Sequence, residues 1–167
     1  MHGQKKMNKI EEANIDIGGI VYWFNRATPN PSIEDVSVQC GCHYEEVAEF
    51  QEALARGTQL EAHIKRYADK FKQKEPEAIK SLELVSESKE RSVSLLDAMI
   101  DQVYTVIGLG VRMGFDMQGA INEVAASNWS KFENGKPVFD ENGKIAKGKD
   151  YFKPDLVKFT KFGKVQD

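Results

Sequence analysis

The stretch HYEEVAEFQEAL, residues 43–54, carries four glutamates at spacings that a helix draws together. At about 100° per residue, Glu45, Glu49 and Glu52 fall within one narrow arc, and Glu46 lies beside them. His43, Val47, Phe50 and Leu54 gather on the opposite side, which is expected to face the core. Like charges at neighbouring helical positions cost roughly 0.2–0.5 kcal/mol per pair. The nearest basic residue along this stretch is Arg56. A bound divalent cation would offset the repulsion. Carboxylate oxygens with room left for water and phosphate suit Mg2+, with Mn2+ able to substitute, better than zinc. The competing reading is a solvated acidic helix face.

A second acidic pair stands in SLLDAMIDQVYTVIGL, residues 94–109. Asp97 and Asp101 are four apart and so share a face, while Leu95, Leu96, Met99, Ile100, Val103, Val106 and Ile107 cover most of the remaining circumference. The pattern predicts a helix buried nearly all round, in which aspartates are costly unless they are paired or hold a metal. Buried salt bridges to Lys or Arg are the alternative. Convergence of Glu45, Glu46 and Glu49 with Asp97 and Asp101 would make a carboxylate cage able to neutralise phosphate charge and lower the pKa of a water. A third clue is SNWSK, residues 127–131, where Asn128 offers an amide and Lys131 a point charge suited to phosphate. An ordinary polar helix terminus would read the same way.

These residues need helices to hold them. A first helix is expected from about Ile10 to Arg26, despite the Gly18-Gly19 pair, and TPNPS at residues 28–32 is a loop. A helix should start between Ser32 and Ser37 and run to Arg56, with Gly57 as its cap, followed by another over Leu60–Lys72 with Ile64, Tyr67, Ala68 and Phe71 on one stripe. Pro76 breaks the chain before a short helix around Glu77–Val85. The longest helix should cover Lys89–Met113 and end at Gly114, and Asp116 should cap a last one reaching Lys131. Two strand-like runs around Asn142-Gly143 signal a β-hairpin. The fold class expected is all-α, a bundle of about four to five helices with a short C-terminal β-hairpin.

At 167 residues the chain fits one domain, with a helical core over about 10–132 and a hairpin and tail over 133–167. A net charge of −3 argues against a binder of duplex nucleic acid. No stretch approaches the roughly 18 consecutive apolar residues of a membrane span, and residues 1–16 lack the apolar core of a signal peptide. Cys40 and Cys42 are too close for an easy disulfide, so a reduced cytoplasmic chain is expected.

In this order, the three pieces resemble the MazG-like branch of the all-alpha NTP pyrophosphohydrolases, in particular the small single-domain versions of bacteriophages and bacteria. The likeness covers about residues 20–156. The first motif, E-E-x-x-E, stands as Glu45, Glu46 and Glu49. In the second, E-x-x-D, Asp101 matches the Asp, but Ala98 occupies the Glu position and Asp97 lies one residue earlier. Residues 123–156 look like the family's C-terminal block. The resemblance implies a homo-oligomer, dimer or tetramer, that converts a nucleoside triphosphate and water to the monophosphate and pyrophosphate. It implies Mg2+ on Glu45, Glu46, Glu49 and Asp101, with Asp97 a further candidate, and water attack on the α phosphorus. Glu46 or Glu49 would serve catalysis, and Asn128 and Lys131 would hold the phosphates. By analogy with phage relatives the substrate would be a deoxynucleotide, with a lean to purine, handled in the cytoplasm (the host's, for a phage protein).

Trp23 and Tyr104 are candidate base contacts, although tryptophan and tyrosine at such places also serve packing. Two rival functions were weighed. A di-iron carboxylate bundle needs E-x-x-H, yet the positions three after Glu45, Glu46 and Glu49 are Ala48, Glu49 and Glu52. A non-catalytic helical oligomer would keep the fold without the metal.

Overall fold

A computed structural model describes residues 17–141 and 143–163. It contains six α-helices in chain order: α1 (Ile17–Ala27), α2 (Ile33–Leu54), α3 (Gln59–Lys72), α4 (Pro76–Ser86), α5 (Lys89–Arg112) and α6 (Met117–Trp129). A single 3-10 turn follows at Val157–Phe159. The all-α class holds, with six helices where about four to five were expected. The part of the expected first helix before residue 17 lies outside the described residues.

Local chemistry accounts for most of the boundaries. Ser32 caps α2 in a reciprocal box, accepting from the Asp35 N–H while the Asp35 carboxylate accepts from the Ser32 N–H. Thr58 caps α3, Ser88 caps α5 and Asp116 caps α6, each with its side chain accepting a backbone N–H and without the reciprocal bond. Gly114 takes φ +77° just past α5, the left-handed position that a helix end favours for glycine. Gly57, expected as the α2 cap, sits in the following turn at φ +72°, where its N–H donates to Glu61 Oε2.

The expected hairpin does not form strands. Among the described residues there are only isolated antiparallel bridges, Glu133 with Lys136 and Phe139 with Ile145. Pro137 lacks an N–H donor and stands two residues before Phe139, where it cannot extend that bridge into a ladder. What remains is a turn in which the Asp140 N–H donates to the Lys144 carbonyl and the Ala146 N–H to the Val138 carbonyl.

The packing is dominated by α2 against α3, and the face that makes it differs from expectation. The buried residues of α2 are Ser37, Val38, Gly41 and Ala48, whereas Phe50 and Leu54 are exposed. Small residues win here because they let the helix axes approach. A methyl group at Gly41 would lie 2.8 Å from the Ala68 carbonyl oxygen and 2.9 Å from the Lys72 nitrogen. Ser37, fully buried, donates to the Phe71 carbonyl at 2.7 Å. A second, aromatic cluster joins α1 to α6: Trp23, Ala27 and Phe132 are buried, with Trp129 and Ile145 against them.

The expectation for α5 is overturned within one chain. It packs against α4 and α6, and its apolar residues stay open, with Leu96 56%, Ile100 54% and Val103 47% exposed. A helix flanked on two sides only cannot bury an all-round apolar surface. Contrary to the sequence expectation, α5 is also long and apolar enough, by length and composition, to cross a membrane.

Candidate functional site

Glu45 stands four residues after Gly41, so it rides at the edge of the buried α2 stripe, facing α3. There both its oxygens are taken. Lys72 Nζ of α3 lies 2.6 Å from Oε1, and Lys144 Nζ, from the turn after Phe139, lies 2.8 Å from Oε2. Glu52, two turns on, pairs with Lys65 of α3 at 3.1 Å. The acidic face is therefore neutralised in part by cations from other elements, a compensation hidden from a reading of α2 alone. Burial pushes the Glu45 carboxyl up, but the hydrogen bonds from Lys144 and Lys72 together outweigh it and hold the pKa below its ordinary value.

Glu46 and Glu49 differ from Glu45. Neither has a Lys, Arg or His within 4 Å among the described residues. The Glu46 carboxyl is raised above its ordinary value, first by the protein crowded around it and then by the charges of Glu49 and Glu45.

Opposite stands a group of lysines. Lys131, just beyond α6, feels Tyr151, Lys144, Glu46 and Lys147. Its ammonium is pushed below the ordinary lysine value, mainly by burial, with Lys144 and Lys147 adding to the effect. Lys147 lies over the Tyr151 ring, 5.0 Å from its centre. The close approach of this segment depends on Gly148, where a methyl group would come 2.6 Å from the Lys131 carbonyl oxygen. Sequence reasoning singled out Lys131 and missed Lys72, Lys144 and Lys147. Three lysines within residues 144–149 of GKIAKGKD were the available signal.

The remaining sequence candidates are distributed as follows. Asp97 and Asp101 are exposed on α5 and have no ion pair among the described residues, so the buried-salt-bridge alternative does not apply. No Cα atom of α2 comes within 8 Å of one of α5. The two helices meet through side chains at one place, where His43 Nε2 and Gln102 Oε1 are 3.0 Å apart. His43, expected on the core face, is thus an exposed residue bridging to the neighbour of Asp101. Tyr104 is 79% exposed on α5. Trp23 is 8% exposed, and its ring N–H donates to the Asn128 carbonyl at 3.1 Å, so it ties α1 to α6. Asn128 itself is half-buried at the end of α6.

The donor chemistry fits a hard divalent cation: all the candidates are carboxylates, and Glu46 is destabilised by its own acidic neighbours. The positions are less complete. Among the described residues no three Asp, Glu, His or Cys side chains converge tightly enough to hold an ion.

No curated protein and no solved structure matches the chain. A family model does, that of phosphoribosyl-ATP pyrophosphohydrolase, over residues 28–128, which contain α2 to α5 and nearly all of α6. That family shares the fold of the MazG-like all-alpha NTP pyrophosphohydrolases. Matched over more than half its length, the chain belongs to the phosphoribosyl-ATP pyrophosphohydrolase family, whose activity is hydrolysis of a phosphoric anhydride.

Proposed function

We propose that the protein is an Mg2+-dependent pyrophosphohydrolase that cuts a nucleoside triphosphate between the α and β phosphates, releasing the monophosphate and pyrophosphate. One observation carries the reading: Glu45 of α2 pairs with Lys144, and Glu46 beside it lies within electrostatic reach of Lys144 and Lys131. Carboxylates suit a cation and lysines suit phosphates, and a triphosphate–metal complex needs both.

Glu45, Glu46 and Glu49 would hold the cation from α2, and Asp101 and Asp97 from α5. When bound, Mg2+ neutralises phosphate charge and lowers the pKa of a water. Lys131 and Asn128 would bind the phosphate chain at the end of α6. A Glu46 carboxyl raised above its usual value is suited to take the proton of the attacking water, with Glu49 as the alternative base. A deoxynucleotide, with a lean to purine, is the proposed substrate.

The open apolar face of α5 supports a homo-oligomer in which a second copy covers Leu96, Ile100 and Val103. Membrane insertion is disfavoured, since Asp97 and Asp101 would each cost about 2.5–3.5 kcal/mol at a bilayer centre. The proposal is of a single-domain protein acting in the cytoplasm. The second reading takes the family name at its word and makes phosphoribosyl-ATP the substrate. Both substrates contain the same anhydride, so the residues above serve either. Purified protein incubated with Mg2+ and each NTP, dNTP or phosphoribosyl-ATP decides between them by product chromatography. Formation of diphosphate and orthophosphate, without pyrophosphate, would refute the mechanism.

A further inference from the structure

We infer that residues 148–152 form a clasp across the end of α6, and that Ser130 and Glu133, which fasten it, are positioning residues that set Lys131 for a phosphate. The inference rests on the hydrolase reading above, through Lys131 alone and with no metal ion. The clasp is fastened on both sides of Lys131. On one side the Phe152 N–H donates to Ser130 Oγ at 3.1 Å, and on the other the Lys149 N–H donates to Glu133 Oε1 at 2.8 Å. At the crossing, a methyl group on Gly148 would stand 2.6 Å from the Lys131 carbonyl oxygen and 2.9 Å from Glu133 Cγ. Ser127, 3% exposed, donates to the Phe152 carbonyl at 2.8 Å, so serines take both backbone polar groups of Phe152. The Ser130 hydroxyl is itself oriented, donating to the Ser127 carbonyl at 2.7 Å.

Lys131 needs such a restraint. It lies two residues past the last residue of α6, Trp129, where carbonyls lack intrahelical partners and helix ends fray. A lysine ammonium rides on a flexible four-carbon stem, so its aim depends on a fixed backbone and limited room. The clasp supplies the first directly. The second agrees with a half-buried Lys131 whose ammonium burial holds below the ordinary lysine value, with Tyr151 of the clasp among the charges it meets. Packing alone does not account for the clasp. Phe152 stays 45% exposed, and Leu156 and Val157 beyond it are exposed as well. The grip is polar and continues along α6, where Glu123 accepts from the Asp155 N–H at 3.0 Å and from Lys158 Nζ at 2.9 Å. Glu123, Ser127 and Ser130 recur at four and three residues, one face of the helix end.

The test compares wild type with Glu133→Ala, Glu133→Gln, Ser130→Ala, Gly148→Ala and Lys131→Ala, each first shown by circular dichroism to melt cooperatively. Amide hydrogen exchange at Lys149 and Phe152 is followed by NMR, and inorganic pyrophosphate is titrated calorimetrically in metal-free buffer. Glu133→Ala, Ser130→Ala and Gly148→Ala are expected to speed exchange at both amides and to weaken pyrophosphate about fivefold, the worth of one ordinary hydrogen bond. Glu133→Gln keeps the acceptor and should keep both the slow exchange and the affinity. The sign is diagnostic, because Glu133→Ala removes a negative charge two residues from Lys131, and a purely electrostatic role would tighten the anion. Lys131→Ala should weaken pyrophosphate about tenfold or more, the loss of a charge-assisted hydrogen bond. Faster exchange with pyrophosphate bound as tightly as in wild type would make the clasp merely structural and overturn the inference, leaving the hydrolase reading standing. Equal weakening in Glu133→Gln and Glu133→Ala would overturn it too. A wild type that binds no pyrophosphate, or a Lys131→Ala protein that binds it as wild type does, overturns both the inference and the phosphate-binding role of Lys131 beneath it.

Discussion

Replacing Gly41 with alanine tests the central packing of the fold. The added methyl would meet Lys72 Cγ at 2.6 Å, the Ala68 carbonyl oxygen at 2.8 Å and the Lys72 nitrogen at 2.9 Å. The first neighbour is a flexible side chain and can turn away. The other two are backbone of α3 and cannot. Two effects of opposite sign compete. Alanine in a helix interior gains up to about 1 kcal/mol over glycine, whereas overpacking a tight contact costs about 1–3 kcal/mol. With α3 forced outward along its main interface, the second effect should win, for a net loss of about 1–2 kcal/mol. The melting temperature should fall by roughly 2–8 °C. Urea denaturation with an unchanged slope would measure the loss directly. Because Lys72 moves with α3, its ion pair with Glu45 should loosen as well. A Gly41→Ala protein more stable than wild type would mean that α2 and α3 are not in this contact, and the placement of Glu45 would fall with it.

Three further outcomes follow from the site and from α5. Glu49→Ala or Asp101→Ala should abolish both turnover and the rise in melting temperature that Mg2+ gives wild type, as monitored by scanning fluorimetry; full activity in either would remove that residue from the proposed metal site. Because the folded Glu45 pKa is depressed, its stabilisation is complete above the unfolded carboxylate value of about 4.3 and is lost as pH falls through the folded value. Glu45→Gln should therefore shrink the acid-side loss of stability, leaving the share of Glu61 and Glu123, which are likewise depressed by their lysines; an unchanged pH profile would contradict the ion pairs. If a second copy covers α5 as proposed, a charge on that face, as in Val103→Glu, should leave a monomer by analytical ultracentrifugation, and an unaltered sedimentation coefficient would refute an α5 interface.

Helix existence was legible because its signals are local. Asp116 caps the helix expected of it, Ser32 opens the helix expected after TPNPS, and Pro76 and Gly114 punctuate the chain where expected. The facing of the helices was less legible. On α2, periodicity weighted by bulk put Phe50 and Leu54 inward, yet close packing against α3 selects small side chains, Ser37, Gly41 and Ala48. A stripe of small residues carries little hydrophobic weight, although it marks where two helices come closest. The hairpin failed for a related reason: Asn-Gly announces a turn, but whether the flanks pair depends on donors, and Pro137 removes one.

The same distinction governs the site. Glu45, Glu46 and Glu49 form one motif in sequence, but the fold divides them, because Glu45 belongs to the α3-facing edge and its two successors do not. A charge count along α2 finds repulsion with nothing to offset it, since the compensating cations come from α3 and from a turn about a hundred residues away. That arrangement resolves how the acidic cluster can be tolerated. Repulsion is quenched at Glu45 and left standing at Glu46 and Glu49. On α5, likewise, sequence alone identifies an apolar circumference but cannot state whether this chain or another covers it. Asp97 and Asp101 lie on that uncovered helix. Whatever packs on Leu96 and Ile100 also takes solvent from the two aspartates and raises the cost of leaving their charges unpaired.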